Sequence, residues 1–297
     1  MDLRSIVAAT DLSAAALRAA DRAAMLAHAA SASLTLAHVV RDSALEDLRR
    51  WIEERDAAEA SILEDVRRRV HAIARDLASR YRIEVAEHSA VGRPVDEIAR
   101  VADEREADLI VTGTLGARVF SHVIGSTAER IVRKSTRPVL MVRHEPRDAY
   151  RRVLVPVDFS RWSAASVAAA LAVAPEAHVV LLHCVEVPFE SRLRLAGVRA
   201  EVIEQYRANA RREAMEQLVA LAKGAGLADA GFTPLAPSGL DPWRQIVEQE
   251  QENECDLTVI GRHGRHVLEA LLLGSTTNMV IAEGRVDVLV SVQADAA

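Results

Sequence analysis

The residues with the clearest chemical potential are glycines spaced for phosphate. Gly261-Arg262-His263-Gly264 is followed, after nine residues, by Gly274-Ser275-Thr276. Ile260 and Gly261 close a strand-like run, and Gly274 with its neighbouring hydroxyls opens a helix-like one. Glycines let backbone N–H groups reach phosphate oxygens, and a helix N-terminus adds unpaired donors and a positive dipole end. Ser275 and Thr276 offer hydroxyl donors, and Arg262 or Arg265 a compensating charge. The competing reading of one such loop is a tight turn whose serine caps a helix. The pattern occurs twice, however. Thr112, Gly113, Gly116, Gly125, Ser126 and Thr127 stand at matching places, with eight residues between Gly116 and Gly125. The recurrence favours phosphate binding.

Asp11 and Asp158 each end a first strand, at the same sheet edge as the glycines. A carboxylate beside phosphates is repelled, so its place is the other end of a nucleotide. There it can accept a hydrogen bond from the exocyclic amine of a base or from ribose. The alternative is a helix N-cap, for which Ser13 and Ser160 compete. His38 and His183 share one repeat position at a strand end, where a packed, hydrogen-bonded role is expected rather than acid–base catalysis. His263 and His266 have no further ligand nearby in sequence, so no metal site is expected. No G-x4-G-K-[ST] occurs, and Gly224-Ala225-Gly226 reads as a helix end. No Ser-His-Asp or Cys-His set assembles, so no catalytic residue is assigned.

These residues are carried by a tandem repeat. Ser5-Ile6-Val7-Ala8-Ala9-Thr10-Asp11-Leu12-Ser13 matches Val153-Leu154-Val155-Pro156-Val157-Asp158-Phe159-Ser160, the aspartates lying 147 residues apart. Leu34–Val39 matches Val179–Cys184, Asp108–Gly113 matches Asp256–Gly261, and Gly125-Ser126-Thr127 matches Gly274-Ser275-Thr276. The expected domains are therefore residues 1–145 and 150–297, joined near the polar Arg143-His144-Glu145-Pro146 stretch. Short apolar runs alternate with helical patterns, the sign of βαβ units around a parallel sheet. Strands are expected near 4–10, 34–40, 82–89, 108–113 and 137–143, then near 152–157, 178–185, 230–236, 256–261 and 286–292. Helices in the first half are expected near 13–30, 43–80, 94–106 and 124–135. Five strands and four helices per half make an α/β, doubly wound, open sheet, which binds ligands at strand carboxyl ends where strand order reverses. An exposed apolar last strand needs covering, so 138–142 and 286–290 are expected to pair with each other.

Composition narrows the function classes. The chain has 297 residues, 50% hydrophobic and 27% charged, the balance of a globular protein. Its 37 basic and 43 acidic residues give a net charge of -6, without the positive field that nucleic-acid binding uses. Aromatics are only 3%, which leaves few platforms for stacking bases. No apolar run is long enough to span a membrane, and the opening Met1-Asp2-Leu3-Arg4 shows no signal-peptide pattern. A cytoplasmic location is expected, with Cys184 and Cys255 as reduced, small buried hydrophobes.

Together, Gly261, Gly264, Gly274 and Ser275 in G-x2-G-x9-G-[S/T], the Pro156-Val157-Asp158-Phe159-Ser160 opening and Leu181-Leu182-His183 resemble the ATP-binding universal stress proteins. The resemblance covers the chain as two tandem domains and implies an adenine nucleotide alpha hydrolase-like, Rossmann-like fold. It implies that Asp158 and the backbone of Cys184 contact adenine, that the 260–264 turn lies near ribose and phosphate, and that Gly264, Gly274, Ser275 and Thr276 hold phosphates. Asp11, Val39, Thr112, Gly113, Gly116, Gly125, Ser126 and Thr127 are the counterparts in the first half. Cys184 stands where the family more commonly has Val, and the first half's loop is one residue short. The expected function is a stress-response sensor or regulator that binds ATP or AMP, the two domains forming an internal pseudo-dimer, with a homodimer of the chain open. The alternatives are a slow ATPase with Mg²⁺ on the phosphates, and an interaction module with vestigial pockets.

Overall fold

A computed structural model of the chain describes residues 2–51, 55–114, 126–160, 162–186, 190–239, 241–262 and 273–292. The chain divides into two compact units, residues 1–149 and 150–293. The first contains β1 (Ser5–Thr10), α1 (Ala14–Ala30), β2 (Ser33–Arg41), α2 (Asp42–Trp51), α3 (Arg55–Tyr81), β3 (Val85–Gly92), α4 (Pro94–Glu104), β4 (Leu109–Gly113), α5 (Ser126–Lys134) and β5 (Val139–Val142). Its strands are parallel in the order β3-β2-β1-β4-β5. The second contains β6 (Arg152–Pro156), α6 (Ser163–Val173), β7 (His178–Leu182), α7 (Glu190–Leu195), α8 (Ala200–Gly224), β8 (Phe232–Leu235), α9 (Pro242–Glu252), β9 (Leu257–Gly261), α10 (Ser275–Glu283) and β10 (Asp287–Ser291). Its strands repeat the order as β8-β7-β6-β9-β10, again parallel.

Several strands are continuous apolar runs because both faces of the sheet are covered. Leu109-Ile110-Val111 and Val139–Val142 are buried throughout, as are Val153-Leu154-Val155 and Val288-Leu289-Val290. β8 contains Pro234, which an edge strand tolerates because one side of its backbone has no ladder to complete. An acid pins the amino end of each sheet. Asp108 accepts the N–H groups of Arg4 (2.7 Å) and Ser5 (3.0 Å), and Asp256 those of Arg151 (2.8 Å) and Arg152 (3.2 Å).

The second unit carries five α-helices among the described residues rather than four. The segment expected as one helix over 43–80 is helical on both sides of residues 52–54, as α2 and α3, and those three residues lie outside the described residues. Its second-half counterpart breaks where Gly197 adopts a φ of 74°, a conformation open to glycine because it has no Cβ. Gly224 ends α8 as expected, and Gly226 follows with a φ of 80° while the Leu227 N–H bonds back to the Ala222 carbonyl.

Candidate nucleotide site at the strand carboxyl ends

In both units strand order reverses between the first and fourth strands, β1 and β4 or β6 and β9. That switch point is where an open parallel sheet leaves a crevice, because the flanking connections run to opposite faces. Asp158 lies just beyond β6. The chain turns there through Phe159, which holds a left-handed φ of 58°. Asp158 Oδ1 accepts the Ser160 N–H (3.0 Å) and the Ser163 hydroxyl (3.2 Å). Asp158 is therefore not the helix cap: the N-cap residue of α6 is Trp162, which makes no side-chain capping bond.

His183 follows β7, with Nδ1 2.8 Å from the Val157 carbonyl oxygen. A carbonyl only accepts, so Nδ1 carries the proton in this pair. The His183 ring lies 4.3 Å from that of Phe159, tilted by 34°. Beyond it, the N–H groups of His183 and Val185 bond to Leu235 (2.9 Å) and Pro237 (2.7 Å) on the β8 side. Alternate residues of a strand bond to opposite neighbours, so the N–H and C=O of Cys184 face the β6 side, where β6 has ended. The Cys184 thiol is half-buried against the Pro242 carbonyl (3.6 Å). Burial, and after it the Glu186 charge, pushes that thiol up to about 12. Cys255 is buried, and its thiol is pushed up to about 12 by burial first. Both are protonated and inert as nucleophiles.

At the other end of the crevice, Ile260 is buried and Gly261 ends β9. The Gly261 carbonyl accepts the hydroxyl of buried Thr277 (2.8 Å), and the Arg262 carbonyl accepts the Gly274 N–H (3.1 Å). Arg262 in turn donates its N–H to Ser291 (3.0 Å). These bonds tie the start of α10 to the end of β9. Gly274 is the N-cap residue of α10, with no side-chain capping bond, and the first turn of α10 contains no acid. Ser275 is thus the first helical residue, exposed, and not the cap; Thr276 is half-buried beside it. Gly264, Arg265, His263 and His266 lie outside the described residues.

A side chain at Gly274 does not strain the backbone, because its φ of -57° suits any residue. An added Cβ would meet only the Arg262 carbonyl at 3.5 Å and Thr277 Oγ1 at 3.6 Å, ordinary contacts.

The first unit reproduces the base end with differences. Asp11 is exposed and accepts the Ser13 N–H (3.0 Å), Leu12 has a φ of 64°, and Ser13 caps α1 through the Ala16 N–H (3.3 Å). His38 Nδ1 is 2.8 Å from the Thr10 carbonyl oxygen. Burial foremost lowers the His38 pKa below its ordinary 6.5, which disfavours the charged ring. Val39 is half-buried at the end of β2, and Thr112 is buried before Gly113. Gly113 meets α1 closely: a Cβ there would stand 2.7 Å from the Ala15 carbonyl group. Gly116 and Gly125 lie outside the described residues; Ser126 and Thr127 open α5, Thr127 exposed.

Sequence reasoning missed Ser163, Thr277 and Glu129. Thr277 was visible as a third hydroxyl in Ser275-Thr276-Thr277, and Glu129 as an acid in the first turn after the glycine loop. Glu129 Oε1 accepts Arg133 Nη2 (2.7 Å) and Nε (3.1 Å). Among the described residues, no group of three His, Cys, Asp or Glu could hold a metal ion, and no helix is long and apolar enough to cross a membrane.

Comparison with known proteins agrees with this architecture. The model of the Universal stress protein family matches residues 3–143 and again 149–292. A universal stress protein of Mycobacterium tuberculosis is 32% identical over 148 residues, covering 47% of this chain and 95% of its own. One from Mycobacterium bovis is 25% identical over 209 residues, covering 67% of this chain and 66% of its own. The crystal structure of a universal stress protein from Archaeoglobus fulgidus superposes with a TM-score of 0.68 at 21% identity, over 97% of both chains, which shows the shared fold. This chain belongs to the Universal stress protein family and carries two tandem copies of its domain.

Proposed function

We propose that this protein binds an adenine nucleotide, ATP or AMP, at the switch-point crevice of each domain, and acts as a stress-response sensor or regulator rather than by turnover. The observation that carries the reading is the start of α10. An uncapped helix N-terminus with hydroxyl side chains and no acid in its first turn is tied by Thr277 and Gly274 to the end of β9. Such an end presents unpaired N–H donors and a positive dipole to an anion. On the other flank of the crevice, Asp158 and the outward backbone edge of Cys184 supply the acceptor and the donor–acceptor pair that a base with an exocyclic amine needs. Separate anion and base ends fit a nucleotide better than a free phosphate or a nucleoside.

The residues of this reading are Asp158, Cys184, Ile260, Gly261, Gly264, Arg265, Gly274, Ser275 and Thr276, with their first-domain counterparts. Native mass spectrometry of the purified chain should find co-purified adenine nucleotide. Calorimetric titration with ATP and AMP, with and without Mg²⁺, should give saturable binding that GTP does not reproduce. Phosphate release measured on the same sample separates a binder from a slow ATPase, and an absence of binding to both nucleotides overturns the reading.

A further inference from the structure

The end of the first strand is fixed from three sides in both domains. The residue after the aspartate, Leu12 or Phe159, sits in the left-handed region without being glycine, at φ 64° and 58°. Such a conformation persists only where its surroundings over-determine it, and it concentrates at ligand clamps. The aspartate's own Oδ1 closes the turn by accepting the N–H two residues on, from Ser13 or Ser160, at 3.0 Å in each case. The third constraint is a histidine from the neighbouring strand. His38 and His183 place Nδ1 2.8 Å from the carbonyl oxygen of the residue before the aspartate, Thr10 and Val157 respectively. That carbonyl belongs to the peptide plane whose nitrogen is the aspartate's, so its direction sets the aspartate's φ.

We propose that His183, and His38 in the first domain, are positioning residues for the base-binding aspartate. The imidazole anchors the peptide plane ahead of Asp158, and in the second domain its ring also rests against Phe159, the strained residue behind it. With both neighbours held, the carboxylate keeps one direction across the crevice. Without the histidine donor the plane is free to rotate, the left-handed residue relaxes and the carboxylate loses its aim. The inference rests on the nucleotide reading. It also predicts which end of the ligand feels the change: the base end, because the α10 start is tied to Gly261 and Arg262, and Arg262 to Ser291, by bonds that do not involve His183.

The test uses the full chain carrying Asp11→Ala, so that the second domain reports, with calorimetric titration of ATP, AMP and inorganic tripolyphosphate. His183→Leu should weaken ATP and AMP by the same factor, about fivefold or more, and leave tripolyphosphate unchanged. His183→Asn, whose amide nitrogen takes the place of Nδ1, should stay within about twofold of the parent. His183→Gln keeps polarity but moves the donor one bond outward, and it should behave like the leucine variant should that one fail to fold. Adding Asp158→Ala to His183→Leu should cost nothing beyond Asp158→Ala alone, because the histidine acts through the aspartate. Unchanged nucleotide affinity in His183→Leu, or an equal loss of tripolyphosphate, overturns the positioning role. Failure of the wild-type chain itself to bind ATP or AMP overturns the nucleotide reading instead.

Discussion

The proposed phosphate ends of the two domains share a motif but differ in how it is built. In the second domain the Thr277 hydroxyl locks α10 to the Gly261 carbonyl, and the next residue, Asn278, is neutral. In the first, the matching positions are Ala128, which has no hydroxyl, and Glu129, an acid in the first turn of α5. Within the motif, the glycine that ends the fourth strand and the one that opens the last helix have different reasons: Gly113 is demanded by the fold, because α1 approaches it too closely for a Cβ, whereas Gly274 leaves room for one. The repeat has kept what the sheet needs in both halves: the Asp108 and Asp256 pins, and the His38 and His183 anchors. What varies is what an anion would feel. Together with the loop that is one residue shorter between Gly116 and Gly125, this difference argues for unequal sites, the second tighter.

The largest effect expected from this contrast is on stability. Gly113→Ala would set a methyl 2.7 Å from the Ala15 backbone, and overpacking of that kind costs about 1–3 kcal/mol. Chemical denaturation should show that loss, while Gly274→Ala stays within about 0.5 kcal/mol of wild type, as an unstrained surface change does. Equal losses for the two would erase the distinction drawn between them.

For binding, Gly274→Val should weaken ATP at least ~10-fold, or ~1.4 kcal/mol, by closing backbone access to the anion. The thermal midpoint should move little, because the position has ordinary contacts. Calorimetry that finds ATP affinity intact would remove the loop from the site.

A smaller gain is expected from Glu129→Gln in a chain carrying Asp158→Ala. Removing a negative charge from a helix N-terminus favours an anion there by about 0.3–1 kcal/mol, so ATP affinity at the first site should rise about two- to fivefold. The gain should shrink at high salt and be smaller for AMP than for ATP. No change would mean that Arg133 already neutralises the acid.

The smallest effect is a pH dependence of folding. Burial lowers the His38 pKa below its ordinary 6.5, and His88 shifts the same way, also through burial first. The unfolded chain therefore binds more protons as pH falls through 6.5, and stability rises with pH there. The stability is fully present above 6.5 and is lost progressively below it. Unfolding midpoints should drop between about pH 7.5 and 5.5, and His38→Asn should flatten part of that slope.

Much of this architecture is legible in the residues because it depends on patterns that tertiary context does not change. Leu109-Ile110-Val111 and Val139–Val142 can only be two-sided strands, and the tandem repeat fixes their order of appearance. The charged, amphipathic stretch 43–80 reads as one helix because neither Gly nor Pro interrupts it, and it is helical on both sides of residues 52–54, which lie outside the described residues. At the candidate site, the aspartates and glycines stand out by type and spacing. The reach of Thr277 to Gly261 and the approach of α1 to Gly113 do not, because both are distances between elements far apart in the chain. Nor does the residue type show that Gly274 has an ordinary φ: a glycine signals freedom of φ, not that the freedom is used.

The central claim is that the second domain holds the tighter nucleotide site, and calorimetric titration of ATP into Asp11→Ala and Asp158→Ala chains tests it most directly. Losing one or two charge-assisted hydrogen bonds at the first domain's phosphate end, at ~1.5–3 kcal/mol each, is enough for a tenfold or larger gap. Asp158→Ala should therefore abolish most of the tight binding, while Asp11→Ala leaves it nearly intact. If Asp11→Ala is instead the damaging change, the first domain is the working site, and the contrast between α5 and α10 has been read with the wrong sign.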